Sequence, residues 1–159
     1  MTQAFNLVAE RPQPIRGDYA YMPNIPHTHN NIFYSADADA TIKAGDFVKL
    51  SATSSNTACP VVEACEVTDV PYGMVVYDVR VNAYGVGDRV ALAQSGDVVW
   101  LVANDAITVG AKLQMVDGTI FVDDTATEGN AFIGEALTAT SAQGDIVQVK
   151  LNFNLGVGA

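Results

Sequence analysis

The chain has 159 residues, of which 49% are hydrophobic and only 16% are charged. This length and composition predict one folded domain and exclude a chain that is disordered throughout, which would need more charge and fewer apolar residues. Eighteen acidic residues against eight basic ones leave a net charge of −10. That charge argues against nucleic acid as a direct partner, because the phosphates would be repelled.

The sequence carries no recognisable signal for export or for membrane insertion. Its first residues lack the basic stretch and the long apolar stretch of a signal peptide, and no window approaches eighteen consecutive apolar residues. We therefore expect a protein that stays in the cytosol where it is made and has no membrane partner.

Residues 1–36 differ in character from the rest of the chain. Four of the six prolines lie here, and proline fixes φ and lacks an amide donor, so neither a helix nor an interior strand is expected. Large apolar side chains alternate with these prolines, which makes the stretch too apolar for a solvated linker. We divide the chain into an extended N-terminal arm, 1–36, and a β-rich domain, 37–159. The sequence leaves open whether the arm wraps its own domain or lies on a partner.

From residue 41 onward, short runs of β-branched residues are separated by Gly and Asp. Runs of this length and spacing predict an all-β fold, a small antiparallel β-sandwich or barrel. The predicted strands are 46–51, 61–67, 74–79, 89–93, 98–102, 112–116, 119–122, 132–137 and 146–153. Helical signal is thin and amounts to single turns at 104–107 and 123–129.

A recurring turn pattern precedes several of these strands. A small or apolar residue is followed by Gly and usually by Asp, which predicts Gly at positive φ and an Asp side chain that binds a nearby amide. The four copies are Ala44-Gly45-Asp46, Val86-Gly87-Asp88, Val109-Gly110-Ala111 and Gln143-Gly144-Asp145. Ser95-Gly96-Asp97 is expected to act similarly, and Asp117-Gly118 predicts a two-residue hairpin.

Two strands carry information about burial. In the last one, Val147, Val149, Leu151 and Phe153 share one face, which predicts one packed side and one wet side. The segment 97–102 does not alternate, so we expect it to be covered on both faces, by the core and by an arm or a neighbouring subunit.

Candidate catalytic and metal-binding groups are few. His27 and His29 would point the same way on a strand and could share a divalent metal, but no third strong ligand has suitable spacing. No nucleotide-binding or nucleophile motif is present. We expect no enzyme activity, no cofactor and no metal site, and we interpret Cys59 and Cys65 as ordinary thiols.

The order of motifs between Ala44 and Leu151 resembles the small capsid decoration, or cement, proteins of tailed bacteriophages. The resemblance covers about two-thirds of the chain. Its motifs are Ala44-Gly45-Asp46-Phe47-Val48-Lys49-Leu50, Pro71-Tyr72-Gly73-Met74-Val75-Val76, Val86-Gly87-Asp88-Arg89-Val90, Ile107-Thr108-Val109-Gly110-Ala111-Lys112-Leu113, Ile133-Gly134-Glu135-Ala136-Leu137 and Gly144-Asp145-Ile146-Val147-Gln148-Val149.

The resemblance implies a structural virion protein without catalytic activity. It would be made in the host cytoplasm, bind the outer surface of an assembled head, often as a homotrimer, and bridge neighbouring subunits of the major capsid protein. The arm is then expected to lie on the capsid or on a neighbouring subunit. The expected contact residues are Arg11, Pro12, Pro14, Ile15, Arg16, Tyr19, Tyr21, Met22, Pro23 and Ile25. The proline-rich opening is longer than the tail typical of this family.

Two other functions stay open at this point. A glycan- or receptor-binding module of a phage fibre could use Trp100, Tyr72, Tyr77 and Tyr84 as a stacking platform. A small β-barrel enzyme could bring together carboxylates such as Asp88, Asp97 and Asp123 from distant strands.

Overall fold

The computed structural model describes residues 16–17, 34–36, 42–52, 60–78, 83–116 and 121–158. Within these residues the fold is all β, as predicted, and the expected helical turns at 104–107 and 123–129 do not form. No helix there is long and apolar enough to cross a membrane. The strands are β1 (Tyr34–Ala36), β2 (Phe47–Leu50), β3 (Val61–Ala64), β4 (Gly73–Val75), β5 (Arg89–Val90), β6 (Leu92–Ala93), β7 (Val98–Val102), β8 (Lys112–Val116), β9 (Phe121–Asp123), β10 (Phe132–Ala136) and β11 (Ile146–Leu151).

The first sheet has six strands in the order β5-β1-β3-β2-β4-β6. Its pairs are antiparallel except for β1 and β3, which run parallel. The two edge strands, β5 and β6, are separated in the chain by Ala91 alone, so the chain itself joins the two edges and the sheet curls into a barrel. β1 consists of the last three residues assigned to the arm and pairs with both β5 and β3, so the expectation that residues 1–36 hold no interior strand is wrong for 34–36, which contain no proline.

The second sheet has five antiparallel strands in the order β7-β11-β10-β8-β9. Its edges also meet, because Ala103 and Val122 form a parallel bridge and the Asn104 N–H donates to the Val122 carbonyl at 2.8 Å. β8 and β9 are antiparallel neighbours, as predicted. Val116 pairs with Phe121, which leaves four residues between the paired ends rather than two, and the Asp117-Gly118 turn itself lies outside the described residues.

Two apolar clusters hold the sheets. Phe47 and Val48 are neighbours on β2, and both are fully buried because β2 is covered on both faces. Val48 fills the interior of the first barrel, whereas Phe47 packs in the larger core between the sheets, where its ring meets Phe153 edge-on at 6.2 Å between centroids. A fully buried side chain of this size contributes about 1.5–3 kcal/mol. The outer face of the closed first sheet therefore packs against the second sheet and forms part of the core between them.

The predicted turn pattern is confirmed in detail. Gly45, Gly87, Gly96, Gly110 and Gly144 all have positive φ, between 77° and 102°. In each of the four turns with Asp, the backbone N–H of that Asp donates to the carbonyl three residues earlier, and its carboxylate accepts the N–H of that same earlier residue. The carboxylate bonds are Lys43 to Asp46 at 2.7 Å, Gly85 to Asp88 at 2.7 Å, Gln94 to Asp97 at 2.9 Å and Ala142 to Asp145 at 3.0 Å.

Two further turns use an acceptor from elsewhere in the chain. The turn that ends at Ala111 has no Asp, and the N–H of Thr108 donates to the Asp124 carboxylate at 3.2 Å. The N–H of Thr127 donates to the Gln114 carboxamide oxygen at 2.7 Å. In these two turns, a side chain from elsewhere in the chain accepts the N–H that the local Asp accepts in the other four.

The burial pattern of β11 agrees with the prediction, whereas β7 is expected to be covered on both faces and is fully buried on one face only. Val147, Val149 and Leu151 are fully buried and Phe153 is 8% exposed, which confirms one packed face. On β7, the inward side chains of Val99 and Leu101 are buried, while Val98, Trp100 and Val102 are half-buried. The second face of β7 is therefore only partly covered.

Candidate functional site

Most of the predicted contact residues fall outside the part of the chain that the structure describes. Their binding to a partner stays a prediction. These residues are Arg11, Pro12, Pro14, Ile15, Tyr19, Tyr21, Met22, Pro23 and Ile25. Arg16 and its neighbour Gly17 are described, and we refer to these two residues as the arm root.

The guanidinium of Arg16 binds the first turn of its own domain. Nη1 donates to the carbonyl of Ala44 at 2.8 Å, and Nη2 donates to the carbonyl of Gly45 at 2.8 Å and to Asp46 Oδ1 at 3.1 Å. The ion pair is mostly shielded from solvent, since the Arg16 and Asp46 side chains are 19% and 17% exposed. The planar fork of arginine suits this arrangement of three acceptors.

Gly17 connects the two sheets. Its N–H donates to the carbonyl of Trp100 on β7 at 2.8 Å, and its own carbonyl accepts the N–H of Tyr77, just after β4, at 2.9 Å. A side chain would not fit here, because φ is +80° and a Cβ would lie 2.5 Å from the backbone nitrogen of Gly45. The arm root therefore packs backbone against backbone, at the junction of the sheets.

This geometry places part of the arm on its own domain. Arg16 is expected from the sequence to bind a partner, whereas the carboxylate beside it belongs to Asp46, thirty residues away in the same chain. Sequence patterning carries no signal for that pairing, because neither residue is part of a periodic pattern that includes the other. Whether Arg16 also touches a partner stays a prediction.

A second charged group lies beside the junction of β2 and β3. Lys49 Nζ lies 2.7 Å from Asp69 Oδ2 and 3.7 Å from Glu63 Oε1. The hydrogen bond to Asp69 raises the pKa of Lys49 and lowers the pKa of Asp69. Close by, burial raises the pKa of Cys65 to about 12, so its thiol is protonated and unreactive at neutral pH. The interpretation of Cys65 as an ordinary thiol agrees with this environment, and Cys59 lies outside the described residues.

Large apolar side chains are exposed at several points of the described surface. Val86 and Val109 occupy the tips of two Gly turns and are 65% and 59% exposed. Single exposed apolar residues are common, but apolar turn tips are poorly suited to water and well suited to contact with another protein. The others are Leu50, Val70, Tyr72, Leu137 and Val157.

The alternative sites fare differently. Tyr84 is 6% exposed and belongs to the interior cluster of the first barrel, so a stacking platform that includes it is ruled out. Asp88 and Asp97 complete local turns. Burial alone would raise the pKa of Asp123, but hydrogen bonds from Asn104 and Thr125 outweigh it and lower that pKa. Each carboxylate is thus occupied by neighbouring backbone or side-chain donors.

Metal ligands do not cluster in the residues that the structure covers, where no group of three His, Cys, Asp or Glu side chains could hold an ion. His27 and His29 lie outside those residues.

Comparison with known proteins finds a matching family model and similar solved structures. A family model described as structural cement protein (E217 gp24/Pam3 gp6) matches residues 9–152. Among solved structures, the N base of head fiber gp8.5 of bacteriophage phi29 is similar, with a TM-score of 0.53 and 15% sequence identity over 77% of this chain and 94% of that one. At this identity the likeness shows the fold alone. No curated protein sequence matches.

Proposed function

We propose, because the chain belongs to the family of structural cement proteins of bacteriophages, that it is a structural component of the phage capsid. In this proposal it binds the outer surface of the assembled head and bridges subunits of the major capsid protein. The observation that carries the proposal is the extent of the family match, which runs from residue 9 to residue 152 and so includes the arm root and both sheets. The proposed role is structural and needs no catalysis, cofactor or metal.

The stabilising mechanism is mass action. A protein that binds only the expanded lattice lowers the free energy of that state at every site, by about 2.7 kcal/mol when its free concentration is 100 times Kd. Many equivalent sites on one head add up, so the shell is reinforced against the pressure of packaged DNA.

The arm supplies the proposed contact with the capsid or with a neighbouring subunit. Prolines reduce the conformational freedom that a bound chain must give up, and the apolar side chains between them supply area to bury. The residues proposed for this contact are Arg11, Pro12, Pro14, Ile15, Tyr19, Tyr21, Met22, Pro23 and Ile25, with Arg16 at the root. The exposed turn tips at Val86 and Val109 offer further apolar contact.

The assembled form is proposed to be a homotrimer that faces outward from the head. Of the net charge of −10, residues 51–159 carry −9, from four basic and thirteen acidic side chains. A layer of such domains would repel other coated particles and stay soluble.

Co-sedimentation with expanded, undecorated heads of its own phage tests the function. We expect saturable binding at a stoichiometry that fits the capsid lattice, with light scattering giving the mass of the free oligomer. Unexpanded heads are the control and should bind less. Absence of binding to expanded heads would contradict the proposal.

Deletion of residues 1–15 tests the first part of the arm separately, because it leaves the Arg16 and Gly17 contacts in place. We expect the truncated protein to keep its fold and to bind heads more weakly. Full occupancy of heads by the truncated protein would remove residues 1–15 from the binding surface and leave the rest of the proposal standing.

A further inference from the structure

Both residues of the arm root are held to their own domain by hydrogen bonds. Three acceptors receive the Arg16 fork, two of them backbone carbonyls of the turn at Ala44 and Gly45. Gly17 adds one backbone hydrogen bond to each side of the sheet junction, to Trp100 and from Tyr77. The first barrel and the second sheet are thus both joined to these two residues.

We propose that Arg16 is a positioning residue, which fixes the point at which residues 1–15 join the domain and thereby increases the affinity of this first part of the arm for the capsid. The inference rests on the proposed function. It differs from the sequence-based expectation, in which Arg16 pairs directly with capsid carboxylates. Here its charge is balanced by Asp46, and its effect on the capsid passes through the arm.

The physical basis is the entropy of the arm. A chain segment that is fixed at one end has fewer conformations to lose when it binds. If the backbone of even one residue is already fixed before binding, affinity is expected to be about tenfold higher. Loss of the Arg16 fork would free both residues of the root, so a loss of binding of about tenfold or more is expected.

A substitution at Asp46 helps to distinguish positioning of the arm by Arg16 from direct contact of Arg16 with the capsid. Its Oδ2 accepts the N–H of Lys43 within the turn, and its Oδ1 accepts from Arg16. In Asp46→Asn, one oxygen remains for the turn, and the amide nitrogen that replaces the other cannot accept from Arg16. Asp88→Asn is the matched control, because Asp88 completes a turn of the same geometry by accepting from Gly85.

The experiment measures binding of the full-length variants to expanded, undecorated heads. We expect Arg16→Gln and Asp46→Asn each to weaken binding about tenfold, the double variant to weaken it no further, and Asp88→Asn to bind like the unmodified protein. Arg16→Lys should not restore binding, since one ammonium cannot serve the three acceptors at their separate positions. Thermal unfolding of each variant shows that the domain is folded.

Several outcomes would overturn the inference. If Arg16→Gln weakens binding without faster exchange of the Tyr77 amide, while Asp46→Asn binds normally, Arg16 contacts the capsid directly. If Arg16→Lys binds normally, charge alone is sufficient. If neither single variant weakens binding while the unmodified protein binds, the root has no role in affinity.

Hydrogen exchange in the free protein separates failure of the inference from failure of the proposed function. The amide of Tyr77, which donates to Gly17, should exchange slowly in the unmodified protein and faster in Arg16→Gln. If no protein binds heads, the proposed function fails, and this exchange rate alone decides whether Arg16 holds the root. Unchanged exchange would overturn the anchoring.

Discussion

The two sheets of this protein close in different ways. The first closes through the chain itself at Ala91, and its turns at Lys43–Asp46 and Gly85–Asp88 are completed by their own aspartates. The second closes through one bridge, and two of its turns depend on side chains more than ten residues away, Asp124 and Gln114. These two turns of the first sheet are specified by local sequence, whereas the two turns of the second depend on side chains that folding brings together. A substitution in the second sheet should therefore lower the free energy of unfolding more than one in the first.

The largest expected effect is at Gly134 on β10. A Cβ at this position would clash with the carbonyl of Lys150 on β11 and lie 3.0 Å from Val149 Cγ1. Gly134→Ala should lower the free energy of unfolding by about 3 kcal/mol, because a strand in the middle of the sheet cannot move aside. Gly85→Ala is the control, since its Cβ would find its nearest neighbour at 3.6 Å, and φ there is ordinary. Chemical denaturation measures both, and equal effects would contradict the contrast between the sheets.

Removal of the remote turn acceptor should rank second. The Gln114 carboxamide accepts from Thr127 and donates to the carbonyls of Asn130 and Thr127, at 2.9 and 3.3 Å. Gln114 is 2% exposed, so Gln114→Ala leaves buried backbone groups without partners and should cost about 2–3 kcal/mol. Asp88→Ala removes a local, exposed acceptor and should cost about 1 kcal/mol by the same assay. A larger loss at Asp88 would reverse our interpretation of the two sheets.

Acid should destabilise the protein through the turn and ion-pair carboxylates. Hydrogen bonds from Ser141 and Ala142 lower the pKa of Asp145, and the hydrogen bond from Lys49 lowers that of Asp69. A folded-state pKa below the unfolded value of 3.8 means stability that is fully present above pH 3.8 and is lost as pH falls through the lower, folded value. The thermal midpoint should therefore stay level from pH 7 to about pH 5 and fall below about pH 4. Asp145→Asn should make that fall shallower, and parallel curves for the two proteins would contradict this.

The smallest effect is expected at Lys49. The Lys49 side chain is about one-third exposed, so Lys49→Met should cost only about 0.5 kcal/mol, even though two carboxylates lie nearby. Urea denaturation should be measured at low salt and at about 0.5 M salt, where most interactions between surface charges are screened. The difference in the free energy of unfolding between the two proteins should be smaller at the higher salt concentration. A difference that persists at high salt would indicate a packing role for the lysine stem.

Local patterning predicts much of this fold. Apart from β1, which the sequence does not predict, strand positions agree with the runs of β-branched residues to within a few residues, and the x-Gly-Asp pattern predicts turns together with their hydrogen bonds. β11 follows its alternation because one of its faces is buried. These features depend on residues within four positions of one another, and such relations are visible in a sequence.

Long-range relations could not be predicted. The closure at Ala91, the Gln114 contacts with residues 127–130, and the division into two apolar clusters all depend on which strands become neighbours. The arm root shows the same limit, because Arg16 and Asp46 are thirty positions apart. The order of weak motifs indicates the family, and the family match over residues 9–152 confirms that resemblance.

Sheet closure also bears on how this protein behaves when crowded. A strand with an open edge is a template for another chain, and identical copies at high local concentration are the setting in which such pairing leads to aggregates. Here β5 and β6 are joined by Ala91, β7 meets β9 at Ala103 and Val122, and Gly17 occupies the Trp100 carbonyl on β7. If copies are crowded together, as on the proposed capsid surface, they can therefore lie side by side without the backbone pairing that would link them into fibres.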